Sequence, residues 1–179
     1  MDQEKFSYQK EINLKPFSFI LLLVTFNICS EEVLKSFNTM LQGNLSFKQE
    51  IENHINDKSY SEGYIQRKGG VIEINIKEPF REKYLISNKE LTVYDLEFDQ
   101  TQIITITKNE APLINLLKSG AVLEQAQELT DKSFIIAIND ELLYIELISD
   151  KSFYVSYKDN MSYKNIVTFT TITNLWIFF

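Results

Sequence analysis

The side chains that most often carry catalysis or hold metals are sparse in this sequence. It has one histidine, His54, and one cysteine, Cys29. Tetrahedral zinc sites draw on several such ligands, so we expect no metal site. No nucleophile-elbow motif frames a serine, and Glu141 and Glu146 are predicted to point to opposite faces of one strand. These observations predict a protein that is not an enzyme and has neither catalytic residues nor a cofactor.

Composition narrows the remaining classes of function. The chain has 179 residues, of which 44% are hydrophobic and 13% aromatic, and this suits one domain with a sizeable core. Its formal net charge is -7. An acidic chain is poorly suited to the phosphate backbone, so we expect no binding to nucleic acid.

Residues 1–29 have the pattern of a secretory signal peptide. Three lysines precede an apolar run over residues 17–29, which is shorter than the about 20 apolar residues of a membrane-spanning helix. We expect cleavage near Ser30, with an uncleaved anchor and a buried helix as alternatives. Cys29 is interpreted as an apolar residue of this segment, and lipidation is its alternative.

Hydrophobic periodicity predicts the elements of the remaining single domain, residues 30–179. Residues 30–42 are predicted to form an amphipathic helix. A second, short helix begins with Pro112 in its first turn and ends before Gly120, and residues 121–127 extend or restart it. The other segments alternate as short strands joined by hairpin-sized turns, over residues 45–55, 71–77, 80–87, 91–97, 101–107, 133–138, 141–148, 153–157 and 165–173.

About ten short strands and few helices predict a mainly β (α+β) fold, in which an antiparallel sheet curls into a half-closed barrel. Short helices are expected to cover its mouth. Such a sheet encloses an apolar cavity or packs into a solid core, and periodicity leaves both possibilities open. Gln49 and Asn53 interrupt an otherwise apolar strand face, which a solvated strand end would also explain.

An ordered set of residues resembles the LolA family, the periplasmic carriers of outer-membrane lipoproteins. The resemblance spans residues 34 to 173 and departs from the family at Gly69-Gly70, where a proline is missing. The chain also stops at residues 176–179, short of the family's last segments, so we expect a truncated C-terminus. The matching residues are Phe47-Lys48-Gln49, Gly63, Arg67, Pro79, Ser87-Asn88-Lys89, Tyr94-Asp95, Gln100 and Pro112 with the leucines after it.

This resemblance implies a monomeric periplasmic chaperone that binds lipoprotein cargo by its acyl chains. Cargo would arrive from an inner-membrane lipoprotein-releasing transporter and pass to an outer-membrane acceptor lipoprotein. Arg67 matches the arginine that hydrogen-bonds carbonyl groups of the lid helices and holds the empty carrier closed. Lys68 is an alternative counterpart, and a solvated loop arginine is the alternative role. The implied cavity residues are Leu34, Phe37, Phe47, Ile72, Ile74, Leu91, Val93, Leu113, Leu116 and Leu117.

Two other functions remain compatible with the sequence. One is the outer-membrane acceptor lipoprotein of similar fold, which requires an acylated Cys29. The other is a periplasmic domain that senses lipids or lipoproteins, a class that usually carries a second domain.

Overall fold

The computed structural model describes residues 31–87, 90–106, 112–138 and 141–172. The predicted signal peptide, Cys29, the Asn88-Lys89 turn and residues 173–179 lie outside the described residues. Of the part of the chain that is described, no helix is long and apolar enough to cross a membrane.

Two α-helices and eleven β-strands make up the described domain. Helix α1 spans Glu31–Leu41 and α2 spans Pro112–Ser119, followed by a 3₁₀ turn at Leu123–Gln125. The strands are β1 Leu45–Glu52, β2 Lys58–Lys68, β3 Val71–Glu78, β4 Glu82–Ser87, β5 Glu90–Asp95, β6 Gln100–Thr105, β7 Ala126–Thr130, β8 Ser133–Ile138, β9 Glu141–Ser149, β10 Ser152–Lys158 and β11 Lys164–Thr171.

All eleven strands join one antiparallel sheet, in the order β6-β5-β4-β3-β2-β1-β11-β10-β9-β8-β7. Two runs of hairpins therefore meet at β1 and β11, whose pairing joins Leu45 to Thr171 and Glu52 to Lys164. Within the described residues β6 and β7 are the two edges of the sheet, which is open. This confirms the predicted mainly β, antiparallel architecture with short helices.

Two segments differ from their predictions. No strand was predicted between residues 55 and 71, but Lys58–Lys68 forms β2, which pairs with both β1 and β3. Residues 126–127 were expected to prolong the second helix, but they begin β7, which pairs Ala126 with Ile136 of β8. The helix ends at Gly120, whose φ of 74° is left-handed. Once the helix has ended, the unpaired backbone of β8 offers the following residues a ladder of hydrogen bonds. The hydrophobic periodicity of so short a segment does not show that a neighbouring strand is available for pairing.

Both helices lie on the same face of the sheet, which is the apolar face. Strand alternation places one side chain in two on this face. Together with the apolar sides of α1 and α2 they form one hydrophobic core. Helix α1 packs on phenylalanines of β8 and β10, whereas α2, which also contacts β8, lies over the site described next.

Candidate binding cavity

An apolar cavity lies between α2 and strands β1 to β5 and β11. Its volume is about 210 Å³. Eleven of its thirteen lining residues are apolar, and the other two are Gln49 and Tyr84. The apolar lining residues are Phe47, Ile65, Ile74, Ile76, Ile86, Leu91, Leu113, Ile114, Leu117, Val167 and Phe169.

Local sequence explains how α2 forms the roof of this cavity. Pro112 has no backbone N–H to leave unpaired, so it suits the first turn of a helix. Leu113, Ile114 and Leu117 then fall on one side of the helix and face the sheet. Leu116 is fully buried in the core but does not line the cavity.

The floor of the cavity depends on Gly63 of β2. A Cβ atom at this position would lie 2.0 Å from the carbonyl oxygen of Asn75 and 3.0 Å from Cε1 of Phe47. Only a residue without a side chain lets β3 and the Phe47 ring approach this closely. Gly63 therefore determines how closely the Phe47 ring can pack against the sheet.

Arg67 ties the sheet to both helices. Its Nη2 donates to the carbonyl oxygen of Leu41 at 3.1 Å, at the end of α1, and to that of Leu117 at 2.5 Å, in α2. Burial lowers the pKa of the Arg67 guanidinium. Its Nε is buried and finds no hydrogen-bond partner among the described residues. The two hydrogen bonds therefore join the sheet to both helices, but burying the charged guanidinium with an unpaired Nε costs free energy.

A second tie joins α1 directly to the chain that follows α2. Asn38 Nδ2 donates to the carbonyl oxygen of Ala121 at 2.8 Å, and Ala121 N donates to Asn38 Oδ1 at 2.9 Å. Nothing in the sequence singled out Asn38, because its partner lies 83 residues away. Arg67 and Asn38 together hold α2 over the cavity.

A chain of polar side chains lies at one end of the lining. Gln49 Nε2 donates to Asn165 Oδ1 at 3.1 Å, and Ser61 Oγ donates to Gln49 Oε1 at 3.1 Å. Asn165, which is 3% exposed, also donates from Nδ2 to Asp159 Oδ2. The polar residue that broke the apolar pattern of β1 is thus built into a network.

Tyr84 is the other polar residue of the lining. Its hydroxyl donates to Oε2 of Glu82. Burial first, and then the hydrogen bond and charge of Glu82, raise the pKa of Tyr84 above its ordinary value. The phenol is therefore a neutral donor over the whole physiological pH range.

Half of the ten apolar residues expected in the cavity line it: Phe47, Ile74, Leu91, Leu113 and Leu117. Ile72 lies instead in a separate open cleft of about 1,050 Å³, beside Arg67. Val93 is half-buried on β5 and does not line the cavity. Whether any of these residues touches a ligand stays a prediction.

The two expected residues of α1 belong to a different part of the core. Leu34 is 5% exposed and Phe37 is fully buried. The Phe37 ring makes edge contacts with Phe134 at 5.4 Å and Phe153 at 4.9 Å, measured between ring centroids. These rings fill the space beneath α1.

Sequence reasoning missed several lining residues. Ile76 continues the alternation of Ile72 and Ile74, so that signal was available. Val167 and Phe169 enter only because β11 pairs with β1, which places Phe169 opposite Phe47. No local pattern reports a pairing across more than a hundred residues.

Taken together, the fold and the site define an open antiparallel sheet with an apolar cavity under a tied helix. No group of His, Cys, Asp and Glu that could hold a metal ion occurs among the described residues. Such an arrangement can bind an apolar ligand without transforming it.

Two solved proteins match this chain at low sequence identity. The chain is similar to a LolA superfamily protein from Nitrosomonas europaea, with 9% identity, a TM-score of 0.45, and coverage of 83% of this chain and 95% of that one. A redesigned beta barrel matches with 9% identity and a TM-score of 0.30, over 76% and 96% of the two chains. No family model and no curated protein matches.

Proposed function

We propose that this protein is a carrier that binds the acyl chains of lipids in the cavity beneath α2. The observation that carries the proposal is an apolar cavity of about 210 Å³ whose roof is held by side-chain hydrogen bonds to carbonyl groups. A roof of this kind can open without unfolding the sheet, because the strands keep their own ladder of bonds.

The energetics favour an acyl ligand. Each methylene group moved from water into an apolar site contributes about 0.8 kcal/mol, so ten methylenes contribute about 8 kcal/mol before the costs of binding. The cavity is smaller than the roughly 300–1,000 Å³ of ordinary small-molecule pockets. It therefore accepts part of one chain as it stands, and a cargo with several chains requires α2 to move away.

Arg67 supplies the means for that movement. In the closed state its guanidinium bridges Leu41 and Leu117, but its burial and the unpaired Nε oppose the contact. Opening returns the guanidinium to water, so the closed and open states lie close in free energy. A ligand that fills the cavity then shifts the balance between the two states.

The cellular role belongs to the same proposal. We place the protein in the periplasm as a monomeric chaperone, with lipoproteins as its cargo. It would receive them from an inner-membrane lipoprotein-releasing transporter and deliver them to an outer-membrane acceptor lipoprotein. The support is the motif resemblance together with a lidded cavity on the apolar face of the sheet.

The first test is native mass spectrometry of the protein purified from the periplasm of bacteria that express the full sequence. We expect a mass increment from bound lipid, and uptake of a synthetic diacylated lipopeptide from neutral vesicles. A protein that stays free of lipid, and that takes up no lipopeptide over a range of vesicle concentrations, would contradict the proposal.

Replacement of Arg67 tests the lid. In Arg67→Leu we expect faster hydrogen exchange in α2. Release of the lipopeptide should be about tenfold slower than in the wild type, because lid closure competes less with the two-chain cargo; this change is equivalent to about 1.4 kcal/mol. Arg81→Leu is the matched control, because it removes an exposed arginine outside the lining and away from the helices. Equal exchange and release in both variants would remove Arg67 from the mechanism.

A further inference from the structure

The polar end of the cavity bears on which acyl compounds the protein accepts. Resting on the acyl-binding function proposed above, we propose that the cavity selects chains with a neutral, hydrogen-bonding head, such as an acyl ester or amide, and rejects free fatty acids. The charge and hydrogen-bonding capacity of the lining lead to this choice.

The lining offers nothing that would neutralise a carboxylate. Among the described residues that line the cavity, none is Lys, Arg or His. The charges bonded to the polar lining residues are negative, because Tyr84 hydrogen-bonds the Glu82 carboxylate and Asn165 hydrogen-bonds Asp159. Arg67, the cation on this face, borders the separate cleft, and its Nη2 is bound to the carbonyl groups of the helices. An ionised fatty acid would lose its hydration there without gaining a cation.

The same lining suits a neutral head group well. An amide carries two N–H donors and an acceptor oxygen, and the described bonds of Gln49 use one of its donors. The remaining N–H can donate to an ester or amide carbonyl. The Tyr84 hydroxyl, which already donates to Glu82, can accept a hydrogen bond from a ligand hydroxyl or amide.

Rigidity distinguishes this polar end from a solvated strand terminus. Gln49 is held on both sides, by Asn165 and by Ser61, and Asn165 is itself held by Asp159. A fixed donor discriminates between ligands because it cannot turn away from the wrong one without leaving its partners unpaired. The network thus positions Gln49 against the ligand.

The test compares two ligands with one chain length, monopalmitoylglycerol and palmitate, at pH 8. Both compete against a fluorescent neutral palmitoyl ester bound to the full protein, below their own aggregation concentrations. We expect monopalmitoylglycerol to bind at least tenfold more tightly than palmitate. Equal affinities, or a preference for palmitate, would overturn the inference and leave the carrier function standing.

Failure of the proposed function looks different in the same assay. A protein that binds neither ligand nor the fluorescent ester fails as an acyl carrier altogether. The affinities of the wild-type protein for the two ligands thus distinguish failure of the head-group preference from failure of the carrier function before any variant is made.

Glu82→Gln then tests the cause of the preference. This replacement keeps the shape and the acceptor for Tyr84 but removes the negative charge. We expect palmitate to bind about tenfold more tightly than it does to the wild type, with monopalmitoylglycerol unchanged. Glu97→Gln, a neutralised carboxylate on the β5–β6 turn, is the control and should change neither. A palmitate affinity unaffected by Glu82→Gln would overturn the charge argument.

Gln49→Leu tests the donor. We expect it to weaken monopalmitoylglycerol about fivefold and leave palmitate at its wild-type affinity, so that the preference shrinks. A circular dichroism melt checks its fold, and Ser61→Ala, which removes one support of Gln49, should give a smaller change in the same direction. Loss of both ligands in equal proportion by a folded Gln49→Leu protein would contradict a role for the head group.

Discussion

The two parts of the sheet beneath α1 and α2 are built from the same kind of strands but are filled differently. We call β8 to β10 with α1 the aromatic half, and β1 to β5 with α2 the cavity half. Phe169 on β11 lies between them, with its ring centroid 5.0 Å from that of Phe153 and 6.4 Å from that of Phe47. On one side phenylalanine rings fill the core, and on the other the core encloses a cavity of about 210 Å³.

The difference follows from which side chains meet. In the aromatic half Phe37 makes edge contacts with Phe134 and Phe153, and Phe153 stacks on Phe169, so that four rings lie at centroid distances of 4.9 to 5.4 Å. In the cavity half, isoleucines of the strands face leucines of α2, and Gly63 contributes no side chain. The large side chains of the aromatic half stabilise the fold, so the cavity half can leave space for a ligand.

The largest effect is expected from Phe37→Ala in the aromatic half. It removes a fully buried ring and its two edge contacts, so the free energy of unfolding should fall by about 3–5 kcal/mol. Leu113→Ala in the cavity half should cost only about 1–2 kcal/mol, because Leu113 is half-buried and already borders empty space. Urea denaturation measures both. Equal losses would erase the distinction between the halves.

The next largest effect is expected from Gly63→Ala. Its Cβ would meet the Asn75 carbonyl oxygen at 2.0 Å, so β2 and β3 must separate, at a cost of about 3 kcal/mol. Gly70→Ala is the matched control: its Cβ meets nothing within 4 Å, and only the φ of 83° opposes it, at about 1 kcal/mol. If Gly63→Ala proved as mild as the control, the close approach would not shape the cavity floor.

Asn38→Ala tests the tie between the halves. It leaves the N–H and the carbonyl of Ala121 without their partner, which should cost about 1–3 kcal/mol and speed hydrogen exchange after α2. The neighbouring Thr39→Ala removes only an exposed bond to Lys35 within α1 and serves as the control. Exchange that rises equally in both variants would indicate general loosening of α1.

The smallest effect on stability is expected at Glu73, which lies on the face of β3 opposite the cavity. Burial raises the pKa of Glu73, but hydrogen bonds from Asn75 and Lys83 and the charges of Lys83 and Lys68 outweigh it and leave the pKa below its ordinary value. A carboxylate of this kind stabilises the fold above its ordinary pKa of about 4.3, and the stabilisation is lost as the pH falls through the folded value.

Glu73→Gln should therefore cost about 0.5 kcal/mol at pH 7 and nothing in strong acid. Urea denaturation across the pH range gives both values, and lipopeptide binding should not change. A difference from the wild type that grew as the pH fell would reverse the assigned sign.

Much of the fold was predictable from local pattern. Alternation in residues 71–77 and 133–138 corresponds to β3 and β8, and the helical spacing of Leu34 and Phe37 to α1. The helix at Pro112 begins at the predicted residue. β2 and β7 were not predicted, because their own residues show no clear apolar alternation and their hydrogen bonds come from neighbouring strands.

The residues of the candidate site were likewise predictable only in part from local pattern. Phe47, Ile74 and Leu91 were placed on the apolar face by period two alone, and α2 brought Leu113 and Leu117 to them. Leu34 and Phe37 have the same apolar character, but the sheet carries them to the aromatic half. Periodicity indicates which face of an element is apolar, but it does not indicate which apolar residues contact one another in the fold.

The sequence by itself determined the class of fold, the apolar face of each element and the polar break at Gln49, because these depend on neighbours within a few positions along the chain. The tertiary structure alone decided that Gln49 joins Asn165, that Arg67 reaches Leu41 and Leu117, and that phenylalanine rings meet beneath α1 while a cavity remains beneath α2. These outcomes depend on long-range pairing and on the volumes of side chains from distant strands, which no single segment encodes.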